Sequence, residues 1–388
     1  MAIPFSEFRD PAHARALAAE IKAVSLSKPV RIMEVCGGQT HTIYRYRLRE
    51  MLPPAIRLVS GPGCPVCVTP ISYIDQAIAL SQIPGVEVFT FGDLLRVPGT
   101  RQNLDQARAN GSKVHMVYAP QQALNYARQN PTSQVVFLGI GFETTLPSFR
   151  LPLREAIRDN LPNFSVLVSA KRVPPVLEAL LRGNAPLDGF ITPGHVTSII
   201  GSDAYADLCR EYSTPMVVGG FEPIDLLIAI LDLVRLVAAG AHDNANAYGR
   251  ATRAKGNRKA QKLIEELYEP CNEELRGLGA IPNAGYRLRD AFAQFDARRR
   301  FPIEGIESRE PRWSMTIFSR PFVLRSSSIG IGFLRCLIYF TSTAHQIGFA
   351  SVALGSKCES FGSKAVSSGM GVLAISQMPT TPGTSVFE

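Results

Sequence analysis

From about residue 10 to residue 268, short runs of β-branched and other apolar residues alternate with stretches whose apolar positions recur every three to four residues. This is the pattern of parallel α/β units, in which a strand buried on both faces leads into a covering helix. It predicts strands at Arg31–Val35, Ile56–Ser60, Val86–Phe91, Lys113–Val117, Gln134–Gly139, Ser165–Ser169, Gly189–Thr192 and Met216–Val218. Helices are predicted at Pro11–Ala23, Ile71–Gln82, Gln121–Gln129, Val173–Arg182 and Pro223–Ala239. So many strands with this linkage exceed one small sheet. The expected fold class is therefore α/β, with two parallel-sheet domains, residues 1–130 and 131–301, divided near Asn130-Pro131 by a cleft. Residues 302–388 follow no sustained period and form an atypical C-terminal segment. No repeat of 20 to 50 residues is present, which excludes solenoids and propellers.

Composition narrows the class. With 388 residues, 46% hydrophobic and 19% charged, the chain can bury ordinary cores, so it is neither wholly disordered nor a coiled coil. No apolar run reaches the roughly 18 residues of a membrane span. Leu226–Ala239 is broken by Asp232 and Arg235, and Ile329–Phe340 by Arg335. The first residues carry Glu7, Arg9, Asp10 and Glu20 instead of the apolar core of a signal peptide, so the expected location is cytoplasmic, with no membrane partner. The net charge of +8 is uneven: residues 1–310 hold 35 Lys+Arg against 31 Asp+Glu, and residues 311–388 hold 6 against 2. Apart from Arg298-Arg299-Arg300 there is no basic block, so nucleic acid is not an expected partner. Seven cysteines are too few and too unevenly spaced for a disulfide framework, and are better read as ligands, redox thiols or core residues.

The residues able to do chemistry recur just after a strand and before a helix. They lie in MEVCGGQTHT (33–42), RLVSGPGCPVCVTP (57–70), VFTFGDLLRVPGT (88–100), VFLGIGFETT (136–145), FITPGHVTSIIG (190–201) and MVVGGFEP (216–223). Ligand sites in open parallel sheets collect outside the carboxyl ends of the strands, so these loops are expected to line the site. In Cys64-Pro65-Val66-Cys67 the spacing lets both sulfurs reach one metal or close a small disulfide ring. Thr69 and Pro70 are expected as N-cap and first residue of the next helix, whose N-terminus would favour thiolates. Cys36, with Gly37-Gly38 and His41 after it, offers a further thiolate and an imidazole. Together with Cys64 and Cys67 these make a set suited to tetrahedral zinc or to iron. Glu143, Thr144 and Thr145 follow a Gly-x-Gly segment that reads either as an anion cradle or as a tight turn with Thr144 capping a helix. His195 and Glu222 read either as site residues or as satisfied loop residues, Cys209 as core, and Cys271 has no partner in sequence.

With these motifs present in this order, residues 5–301 resemble the HypD family of [NiFe]-hydrogenase maturation factors. The resemblance implies a cytosolic scaffold that works with a HypC-type chaperone and a HypE-type cyanide donor to assemble the Fe(CN)2CO centre of the hydrogenase. It implies an iron-holding thiol at Cys36, a redox-active, metal-associated pair at Cys64 and Cys67, and an assisting His41. Such a protein is an assembly scaffold with redox-active thiols more than a conventional enzyme. The alternatives are a thiol-disulfide oxidoreductase using Cys64 and Cys67, or a zinc-binding α/β protein.

The family also implies a [4Fe-4S] cluster held by four cysteines in a C-terminal domain, and there the chain departs. Beyond Phe301 it has only Cys336 and Cys358, which cannot supply four thiolates. Residues 311–388 hold 14 of the 29 serines, no Asp and two Glu, a composition expected of a changed reading frame or a replaced terminus. A gene region with no cysteine-rich continuation in any frame would refute that hypothesis.

Overall fold

The computed structural model describes residues 7–183 and 185–309. The strands in chain order are β1 (Val30–Glu34), β2 (Ile56–Ser60), β3 (Val86–Thr90), β4 (Val114–Met116), β5 (Gln134–Gly141), β6 (Phe164–Lys171), β7 (Gly189–Pro193), β8 (Met216–Gly219), β9 (Asn244–Asn246), β10 (Tyr268–Leu275) and β11 (Gly279–Leu288). The helices are α1 (Pro11–Ala23), α2 (Gly37–Arg45), α3 (Leu48–Met51), α4 (Ile71–Gln82), α5 (Leu104–Ala109), α6 (Pro120–Gln129), α7 (Leu146–Arg158), α8 (Val173–Arg182), α9 (Gly194–Ile200), α10 (Ala206–Glu211), α11 (Pro223–Ala239), α12 (Arg258–Leu267) and α13 (Ala297–Arg300). Every strand expected from the sequence forms within two residues of its anticipated ends.

Two sheets result. One is parallel throughout, in the order β2-β1-β7-β8-β9. The other runs β10-β11-β6-β5-β3-β4, parallel from β6 to β4 and antiparallel across the β10–β11 hairpin and its junction with β6. The sheets are not the two halves of the chain. Strands β3 and β4 precede Asn130-Pro131 yet pair with the later β5, whereas β7, β8 and β9 return to β1 and β2. Hydrogen-bond register and shared cores decide membership of a sheet, and neither leaves a local mark on the sequence. The C-terminal segment expected at 302–388 lies outside the described residues beyond Arg309, as do Cys336 and Cys358.

Burial explains the continuous apolar runs. Along β5, Val135 and Phe137 join a core with Phe149 and Leu153 of α7, while Val136 and Leu138 face Ile74 and Ala77 of α4. A period-two strand covered on both faces must be apolar at every position. In the parallel sheet, Val30 and Ile32 pack with Leu17 and Ile21 of α1 and Leu227 of α11. Met33 and Val35 share the opposite core with Leu177 of α8, Val68, Cys209, and Leu275 and Ile281 of the hairpin. Each such side chain stabilises by roughly 1.5–3 kcal/mol when fully buried. The hairpin core matters most for the site, because it seats the chain leaving β2 beneath the exit of β1.

Two elements run against local propensity. Helix α7 contains Pro152, which removes a backbone donor, but its apolar residues Phe149, Pro152, Leu153 and Ala156 are buried. Helix α2 begins Gly37-Gly38 and is held by tertiary hydrogen bonds.

One side chain fastens the connection into β5. Buried Asn163, just before β6, directs its Nδ2 at the carbonyls of Ala127, Asn130 and Ser133 at 2.9, 3.1 and 3.0 Å. Asn163→Ala leaves these acceptors without their donor, so it should lower stability by about 2–3 kcal/mol. The check is a urea midpoint that falls while the slope of the transition stays unchanged.

Candidate thiol site at the strand ends

Strand β1 pairs with β2 on one side and β7 on the other, so the chain leaves the sheet in opposite directions from β1 and β7, a topological switch point. Cys36 stands there in extended conformation as the N-cap residue of α2. Next to it the chain leaving β2 folds back over β1. Gly61 N–H donates to Glu34 O at 2.8 Å, and Gly37 N–H to Gly63 O at 3.2 Å. A Cβ on Gly63 would lie 2.2 Å from Cys36 N, and one on Gly61 2.8 Å from Glu34 O. The two glycines of Gly61-Pro62-Gly63 are therefore required by backbone contact.

This contact sets Cys64 against the Cys36 loop. A Cβ on Gly37 would lie 3.5 Å from the Cβ of Cys64. The sulfurs of Cys64 and Cys67 are 2.6 Å apart, and Cys67 N–H donates to Cys64 Sγ at 3.3 Å. Disulfide closure from there needs little backbone movement. Cys64 is partly buried and Cys67 exposed.

The local chemistry differs from the expectation in three respects. Pro70 is the N-cap residue of α4, and Thr69 instead donates its hydroxyl to Pro65 O at 2.8 Å, so the Cys-x-x-Cys turn precedes the helix without forming its first turn. The cysteine at a helix N-terminus is Cys36. Burial pushes its thiol up to about 11, against the opposing pull of the Gly38 and Gln39 N–H groups, so desolvation outweighs the helix end. Finally, the four-ligand set does not close. Among the described residues no three His, Cys, Asp or Glu side chains converge to hold a metal, and His41 is exposed on α2 between buried Thr40 and Thr42.

The rest of MEVCGGQTHT anchors the loop. Gln39 donates to Thr192 O at 3.2 Å and Gly219 O at 3.0 Å at the ends of β7 and β8, and Thr42 donates to Phe221 O at 2.6 Å. The His195 ring stacks on Phe221 with centroids 3.6 Å apart, and partial burial lowers its pKa. Glu222 is structural, receiving both Nε and Nη2 of Arg9 at 2.5 and 2.7 Å. The glycines of the Gly-x-Gly segment, Gly139 and Gly141, lie inside β5 and form no anion loop. The N-cap residue of α7 is Thr145, not Thr144, and its side chain makes no capping bond. Cys209 is buried in the hairpin core, and Cys271 lies on β10.

Two buried charged residues at strand ends, Glu34 and Lys171, went unremarked in the motif reading. Glu34 is fully buried, accepts the Thr40 hydroxyl at 2.7 Å and the Cys36 N–H at 3.5 Å, and is pushed up to about 7 by desolvation. Lys171 ends β6 with no exposure. Glu143, already a candidate, accepts the Val173 N–H at 3.0 Å at the start of α8 and has Oε2 without a hydrogen-bond partner. The available signal was a charged residue ending an otherwise apolar strand, as in RIMEV and SVLVSAK.

The family model described as the Hydrogenase formation hypA family, HypD, matches residues 12–316. The chain belongs to the HypD family. Its relatives include the hydrogenase maturation factor HypD of Azotobacter vinelandii, 49% identical over 78% of this chain and 83% of that protein. The factors of the same name from Rhodobacter capsulatus and Escherichia coli K12 are 45% and 41% identical. They cover 77% and 71% of this chain and 81% and 74% of their own lengths. Residues 317–388 lie beyond the match of this HypD chain to the family model.

Glu143 provides a pH test of the strand-end environment. Desolvation raises its carboxyl from 4.5 to about 7, against the opposing Val173 N–H. The folded state therefore holds this proton more tightly than the unfolded state does, and the associated stability is complete below pH 4.5 and lost as pH rises through 7. The loss approaches roughly 3 kcal/mol. Glu143→Gln should flatten that part of the profile, measured as urea midpoints at about pH 5 and about pH 8.

Proposed function

We propose that this hydrogenase maturation factor holds iron at the β1 exit through Cys36 while the Fe(CN)2CO centre of [NiFe]-hydrogenase is assembled, with Cys64 and Cys67 as an adjacent redox couple. The observation that carries this reading is the close packing of residues 61–64 on residues 34–37, which sets the Cys-x-x-Cys turn against the Cys36 loop at a switch point. Cyanide and carbon monoxide are strong-field ligands that stabilise low-spin ferrous iron, and soft thiolates suit such an ion. Iron is cargo here, passed onward once its ligands are in place. A HypC-type chaperone is expected to share the ion through its own thiol at Cys36, and a HypE-type protein to deliver cyanide. The exposed Gly37-Gly38 backbone leaves room for a partner to approach. His41 assists from the partner's side of α2, where it is exposed. The location proposed is the cytoplasm; among the described residues no helix is long and apolar enough to cross a membrane.

A four-cysteine [4Fe-4S] site does not fit the chain, since only Cys336 and Cys358 follow Phe301. Reduction of the couple is expected from an external donor. The 2.6 Å approach of the two sulfurs favours a second reading, in which thiol-disulfide exchange is itself the activity. Anaerobic infrared spectroscopy of protein isolated with its partners separates the two. Cyanide and carbonyl stretches support the scaffold, whereas their absence alongside disulfide turnover supports the oxidoreductase.

Two cysteine variants test the assignment of Cys36. Cys36→Ala should abolish iron loading and hydrogenase maturation while the chain still folds, at a stability cost of no more than about 1 kcal/mol for the partly buried thiol. Cys209→Ala, in the core, should keep both functions and lose about 1 kcal/mol of stability. Iron loading in Cys36→Ala equal to wild type would overturn the role given to Cys36.

A further inference from the structure

The two glycines after Cys36 face different side chains. A Cβ on Gly37 would lie 3.5 Å from the Cβ of Cys64. One on Gly38 would lie 3.0 and 3.3 Å from Cδ1 and Cε1 of Phe221, and 3.9 Å from Cys36 Sγ. The Cys36 sulfur and one edge of the Phe221 ring therefore flank the same point, which no side chain of residue 38 fills. The thiol has the Cys-x-x-Cys turn across Gly37 and an aromatic edge across Gly38.

Phe221, in the loop between β8 and α11, is fixed at its backbone and at its ring. Its N–H donates to Asp225 Oδ2 at 3.2 Å, and its carbonyl accepts the Thr42 hydroxyl of α2 at 2.6 Å. Buried Asp225 is in turn gripped by Nη1 and Nη2 of Arg250. His195 stacks on the ring with centroids 3.6 Å and planes 16° apart, and Tyr248 meets it edge-on at 6.0 Å. Yet Phe221 is half-buried and His195 exposed, and neither belongs to a core that holds the sheets. A ring held this firmly outside the cores, with its edge beside a thiol, is placed for the thiol and not for the fold.

We propose that Phe221, clamped by His195, is a positioning residue that walls the Gly38 side of the Cys36 sulfur and limits that side to small, linear ligands. An aromatic edge presents only C–H groups, so it neither coordinates a metal nor carries water to one, and a fixed ring gives no room to a branched group. Diatomic ligands on an ion held by Cys36 suit such a narrow space. Their identity as cyanide and carbon monoxide rests on the iron reading of Cys36 given above; the wall itself does not.

The test measures access to the sulfur in the full-length chain, treated with chelator and with its thiols reduced. Cys36 is the only cysteine between Arg31 and Arg45, so its tryptic peptide is separate from that of Cys64 and Cys67. Alkylation rates at Cys36 are compared for iodoacetamide and the bulkier N-phenylmaleimide. Both reagents attack the thiolate, so their ratio at one sulfur is independent of its ionisation. Exposed Cys67 is the internal control. Phe221→Ala should raise the bulky-to-small ratio at Cys36 about tenfold and leave the ratio at Cys67 unchanged. Phe221→Tyr, which keeps the ring edge, should stay within about twofold of wild type, and His195→Ala, which frees the ring, should raise the ratio about threefold. His195 is exposed, so its variant decides the matter if Phe221→Ala does not fold. An unchanged ratio at Cys36 in the deciding variant, or a rise that Cys67 shares, overturns the inference. The expected rise in a protein that shows no cyanide or carbonyl stretches when isolated with its partners leaves the wall standing and removes the iron assignment.

Discussion

No side chain fits between residue 63 and the backbone at the exit of β1, and the whole arrangement of thiols depends on that contact. Because residues 61 and 63 are glycine, the chain leaving β2 can lie on Glu34 and Cys36 instead of passing outside them. The Gly37–Gly63 and Gly61–Glu34 backbone bonds then fix the Cys-x-x-Cys turn against the Cys36 loop. Widening the contact by even one methyl group would lift the chain leaving β2 off the Cys36 loop. Backbone fit thus does at this site what a bound metal does in a preformed cage.

Around the contact, charged groups are buried at the carboxyl ends of strands. Glu34 lies under Cys36, Glu143 at the start of α8, and Lys171 under the Cys-x-x-Cys turn. Low dielectric surroundings strengthen whatever each of them faces and shift their proton affinities, as the rise of Glu34 and Glu143 to about 7 shows. Hydrogen bonds from Thr40, Val173, Ser169 and Thr69 offset much of the desolvation cost and fix the orientation of each group.

Periodicity along the chain determined the elements: period-two and continuous apolar runs marked the strands from β1 to β8, and three-to-four spacing marked α1, α4, α6, α8 and α11. It did so because burial on a strand or helix leaves a local imprint. The loops carrying Cys36, Cys64, Cys67, Glu143 and His195 were equally legible, since each follows a strand whose end is visible in sequence. What had no local imprint was partnership. That β3 joins β5 while β7 returns to β1 is set by register and shared cores between residues 48 and 157 positions apart, as in Val86 with Gln134 and Ile32 with Gly189, so a boundary near residue 130 looks natural in sequence yet cuts through both sheets. Helix α2 and the Pro152-containing α7 defy propensity and exist because tertiary contacts hold them. Only the folded chain could bury Lys171 against Thr69 or reveal that burial, not the helix end, governs the Cys36 thiol, because desolvation is a property of the surroundings and not of the residue.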